Sequence, residues 1–67
     1  MNPDAYRLRV ETHAATAAIA VMNHDSPTVA DALDGVDSPA IRADAEFLAE
    51  RLLQEFVEDR AAIGRAA

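Results

Sequence analysis

Few residues in this chain are of a type that does chemistry, and their spacing limits what chemistry is open to them. His13 and His24 are the two imidazoles. Eleven positions apart on a continuous helix, they would share a face but stand about 16 Å apart along the axis, too far for one metal ion to bridge. No histidine has another three or four positions away and no Glu-x-x-His pair occurs, so the ligand spacing of helical-bundle metal sites is missing. The expectation is that His13 flanks a core row and His24 sits in a turn, with no metal and no cofactor. Glu46 and Glu50 lie one helical turn apart, followed by Glu55, Glu58 and Asp59. Paired carboxylates do acid and base work when burial splits their pKa values. Here they fall on the most polar arc of the long helix, so a solvated face is expected. With two glycines in all, there is no phosphate-cradling loop, and no nucleophile stands beside a base. The chain is therefore expected not to be an enzyme.

One short string adds a different chemistry. Gly35-Val36-Asp37-Ser38 resembles the Gly-x-Asp-Ser motif of acyl carrier proteins, which are also small, acidic and helical. In that family the serine carries phosphopantetheine and opens a helix, so the resemblance implies Ser38 as an attachment point. It covers four residues, and Pro39 stands where the family usually has leucine. Capping of a helix by Ser38 explains the same serine without a modification.

The elements that would position these residues are helices. Pro39 to Ile63 reads as one long helix: Ser38 caps it, Pro39 suits its first position, no glycine or proline interrupts it, and Gly64 offers a left-handed stop. At about 100° per residue, Ile41, Ala45, Leu48, Leu52, Phe56 and Ile63 fall within an arc of roughly 80° and form the expected core face. Ala49, Leu53 and Val57 make a second apolar row beside it, more than a single packed neighbour covers. Phe47 leaves both rows and projects among Glu50, Gln54 and Glu58. Arg51 with Glu55, and Arg42 with Glu46, are spaced to form ion pairs worth tenths of a kcal/mol each.

Asn2, Pro3 and Asp4 open a first helix that should run to about residue 23. Tyr6, Val10, Ala14, Ala17 and Val21 form the row expected against the long helix, with the alanines allowing close approach. Leu8, Ala15, Ile19 and Met22 lie roughly 140° away, open to a second partner. Ser26 and Pro27 give a third start, for a short helix over 27–34 whose Val29 and Leu33 face the core and whose Asp31 and Asp34 face water. Gly35 should end it in the left-handed conformation, with Val36 in apolar contact, and residues 65–67 should fray.

The expected fold is thus all-α, a single domain over 1–67, with helices at about 3–23, 27–34 and 39–63, the long N- and C-terminal helices packed antiparallel and completed as a dimeric helical bundle. A chain this short builds a small core, and without cysteine it has no disulfide or thiolate metal site to strengthen it. Association is the remaining way to cover apolar area, through Leu8, Ile19, Met22, Phe47, Leu53 and Val57. A net charge of −6 disfavours nucleic acid and anionic membranes and favours a basic partner surface. No apolar run reaches membrane-spanning length. Ala14 to Met22, behind Arg7 and Arg9, has the outline of a signal peptide, but Glu11 and His13 break the approach, so a cytoplasmic protein is expected. These features point to a small acidic interaction protein: a homodimeric subunit, or an adaptor or inhibitor of a larger protein partner. The alternatives are the carrier role for Ser38 and an acidic mimic that blocks a basic nucleic-acid-binding surface.

Overall fold

Three side-chain caps divide the chain. Asn2 accepts from the backbone N–H of Ala5 at 2.7 Å, Thr28 from Asp31 at 3.1 Å, and Ser38 from Ile41 at 3.3 Å. Each satisfies a donor that the first turn of a helix leaves without a partner. In the computed structural model they open α1 (Pro3–Met22), α2 (Val29–Ala32) and α3 (Pro39–Ala66). The structure describes residues 2–66, and their side chains through position 60. There is no strand among the described residues. The two long helices pack against each other and α2 touches both, giving the all-α fold expected from periodicity.

The end of α1 is built from backbone bonds. His24 takes a positive φ of 63°; its N–H donates to the Val21 carbonyl at 3.1 Å, and that of Asp25 to the Ala20 carbonyl at 2.8 Å. These two bonds make a Schellman stop, in which the left-handed position is normally glycine. His24 is therefore a turn residue, as expected, and an exposed one. The same stop shortens α2. Ser26 donates its N–H to the Ala20 carbonyl at 3.3 Å and so belongs to the end of α1, which leaves Thr28 to cap α2. The expected helix over 27–34 contracts to Val29–Ala32.

Two further expectations about helix ends are corrected. Gly35 does not adopt a positive φ, because α2 closes through tight bonds instead, Leu33 N–H to Ala30 at 3.2 Å and Val36 N–H to Leu33 at 3.0 Å. The long helix does not stop at Gly64 but continues to Ala66, so Arg65 and Ala66 are helical rather than frayed. The core role expected of Ile63, and the fraying expected of Ala67, lie outside the described residues.

The core contains Val10, Ala14, Ala17 and Ala18 from α1, Val29, Leu33 and Val36 around α2, and Ile41, Ala45 and Ala49 from α3. Tyr6, Val21, Leu48 and Leu53 pack partly against it. Five of the ten buried residues are alanine, and the largest fully buried side chains are Leu33 at 1% and Ile41 at 2% exposure. The alanines let the long helices approach closely but remove little apolar area from water, so the core is thin. Of the row expected on α1, Val10, Ala14 and Ala17 are buried and Tyr6 and Val21 half-buried, and Ala18 is buried beside them. On α3 the buried face is Ile41, Ala45 and Ala49. Leu52 and Phe56, expected in the core, are instead 36% and 41% exposed, while Leu53 of the second row is half-buried. Beyond Leu53 no described apolar side chain of α3 is buried, so among the described residues the neighbouring helices cover α3 only as far as about Leu53.

Candidate functional site

The stripe that α3 starts in the core continues past the end of its cover. On a helical projection Leu52 and Phe56 lie within about 20° of Ala45, so they occupy the face that Ile41 and Ala49 bury further up. Both are nonetheless exposed. Sequence reading places them correctly on that face but has no means of knowing that α1 stops short. The usable signal is length: a helix of 28 residues faces one of 20 and one of 4, which leaves part of its apolar row without a neighbour. The Phe56 ring is partly shielded by the Arg60 guanidinium, 5.7 Å from its centroid, a cation–π contact of about 0.5–1 kcal/mol at an exposed site.

The six residues expected at an interface differ in exposure. Leu8, Ile19, Phe47 and Val57 are exposed, whereas Met22 and Leu53 are half-buried. Leu8 and Ile19 share the outer face of α1, opposite its buried row, and are separated by about 16 Å along the axis. Phe47, at 66% exposure, points away from the core on the polar arc of α3. Leu52 and Phe56, by contrast, continue the line of the core face.

Polar groups on the described surface hold structure. Arg7 pairs with Glu11 at 3.0 Å, the one ion pair among the described residues. Arg51 and Glu55 are not bridged, and Arg42 does not reach Glu46. Instead Arg42 turns back and donates from Nη2 to the Val36 carbonyl at 2.9 Å, with its Nε buried and without a partner. That bond fastens the short connection between α2 and α3. Thr12 and Thr16 donate their hydroxyls to the carbonyls one turn earlier. Tyr6, in the first turn of α1, donates its hydroxyl to Asp44 of α3, and the pKa of its phenol is raised by that bond, then by burial, then by the charge of Asp44.

His13 is half-buried on α1 and His24 is exposed in the turn, and no group of three His, Asp or Glu side chains among the described residues is placed to hold a metal ion. A shallow concavity of about 210 Å³ lies among Arg51, Gln54, Glu55 and Glu58, all from neighbouring turns of one helix and open to water. Ser38 is half-buried, with its oxygen occupied as the cap of α3. No described helix is long and apolar enough to cross a membrane. No family model, curated protein or solved structure matches the chain.

Proposed function

We propose that this chain is a small interaction module that works by contact, without a catalytic activity of its own. The observation that carries this reading is the uncovered continuation of the core face of α3 at Leu52 and Phe56. Aligned apolar side chains at helical spacing are the means by which a helix packs on a partner. The thin core supports the same reading, since half of its buried residues are alanine and a domain of this size has little stability in reserve. Further apolar burial against another protein would supply what the isolated fold lacks. The net charge of −6 keeps such a module off phosphate backbones, and its lack of cysteine suits a reducing cytoplasm.

The test is the native mass of the chain in cell extract, compared with that of a variant carrying Leu52→Glu and Phe56→Glu. The wild type is expected in a complex larger than its own 7.2 kDa. The variant should run as the free chain with its helical circular dichroism intact. A wild-type chain that runs alone in extract and after purification would sink the proposal.

A further inference from the structure

We propose that Asp34 and Gly35, in the turn between α2 and α3, form a spontaneous modification site, at which the folded chain converts Asp34 to isoaspartate through a cyclic imide. The reaction needs a carboxyl group in water, a free backbone N–H on the next residue, and no side chain there to crowd the attack. Asp34 and Gly35 are both exposed. The Gly35 N–H has no acceptor among the described residues, although its neighbours are bonded, Asp34 N–H to the Asp31 carbonyl at 3.3 Å and Val36 N–H to that of Leu33 at 3.0 Å. Gly35 has no Cβ, and the space where one would stand is empty to 4 Å, which leaves room for the imide ring and for water.

Elsewhere the nitrogen that would attack is held. Ser26, after Asp25, gives its N–H to the Ala20 carbonyl at 3.3 Å, and Ala32, after Asp31, gives its own to that of Thr28 at 3.1 Å. His24, after Asn23, is bonded to the Val21 carbonyl at 3.1 Å. Asp44 and Asp59 lie inside α3, where the following N–H is spent on the carbonyl one turn back. Ser38, after Asp37, carries a side chain beside its nitrogen.

The step balances with water as its one reagent. The Asp34 carboxyl, protonated from solvent, is attacked at Cγ by the Gly35 nitrogen. An N–Cγ bond forms, the Cγ–O bond breaks, and the hydroxyl leaves with the N–H proton as water. Water then opens the ring: addition at Cγ returns aspartate, while addition at the α-carbonyl breaks the original peptide bond and routes the chain through Cβ and Cγ. The backbone is then longer by a methylene carbon between Leu33 and Val36, both buried. Because the Val36 carbonyl also accepts from Arg42, the modification loosens the connection that this bond fastens.

The experiment incubates the purified chain in neutral buffer with and without urea. Isoaspartate is located by peptide mapping and counted by labelled methyl transfer from S-adenosylmethionine with an isoaspartyl methyltransferase. It is expected to accumulate at Asp34 of the folded chain, within about tenfold of the rate in urea, because the site needs little opening. Asp25 should stay unchanged in the folded chain, and Gly35→Ala should lose the signal at Asp34. A fold that slows the reaction by more than that factor, toward the thousandfold or so that global unfolding would impose, would overturn the proposal, as would a Gly35→Ala chain that converts at the wild-type rate. The isolated isoaspartyl form should melt below the unmodified chain, and equal melting would remove the loosening.

Discussion

The hydroxyl of Tyr6 donates to the carboxylate of Asp44, and this bond joins the first turn of α1 to the second turn of α3 across 38 positions of sequence. It ties the two long helices together at the surface, beside the buried packing of Ala14, Ala17, Ala45 and Ala49. The raised pKa of the phenol has a direct consequence for stability. A group whose pKa is higher in the folded than in the unfolded chain contributes stability that is complete below its unfolded value, near 10, and lost as pH rises through the folded one.

Tyr6→Phe is therefore expected to lower the melting temperature at pH 7 by a small amount. The gap to wild type should close above pH 10, where ionisation removes the donor and sets a phenolate against the Asp44 carboxylate. Thermal unfolding followed by circular dichroism from pH 7 to 11 checks this. A gap that stays constant across that range would mean the bond does not form in solution.

The close approach of α1 and α3 depends on buried alanines. Ala45 has no exposed surface, so Ala45→Leu must push the helices apart or force neighbouring side chains off their rotamers, at about 1–3 kcal/mol. Ala15→Leu, on the exposed outer face of α1, should change stability by less than about 0.5 kcal/mol. In a domain this size 1 kcal/mol moves the melting temperature by roughly 4–8 °C, so the two variants separate clearly. Equal effects would contradict the assignment of the buried face.

Two loop positions carry opposite expectations from those their residue types invite. His24 holds the left-handed conformation, which costs a side-chain-bearing residue roughly 1–2 kcal/mol. His24→Gly relieves that cost but frees the unfolded chain, for a net gain of up to about 1 kcal/mol. Gly35 has no positive φ, and a Cβ there meets nothing within 4 Å, so Gly35→Ala should stabilise by about 0.4–1 kcal/mol. Chemical denaturation of each variant reads the sign. A loss of stability from Gly35→Ala would show that the loop needs the glycine after all.

The sequence by itself determined the three helices and the buried row of α1. These depend on local information: a cap such as Asn2 or Ser38 acts within one turn, and the spacing of Tyr6, Val10, Ala14, Ala17 and Val21 defines a face whatever it packs against. Local rules placed the short helix less well, because Ser26 is engaged by the Ala20 carbonyl, a bond that belongs to the preceding helix. Only the tertiary structure decided which turns of α3 are covered. Leu48, Leu52 and Phe56 follow one another on the same face and look alike in the sequence, yet the first packs against the core and the other two meet water. The reason is physical: periodicity reports the direction in which a side chain points, whereas burial needs a neighbour at the same height along the helix. That height is set by long-range packing, here that of α1 on α3.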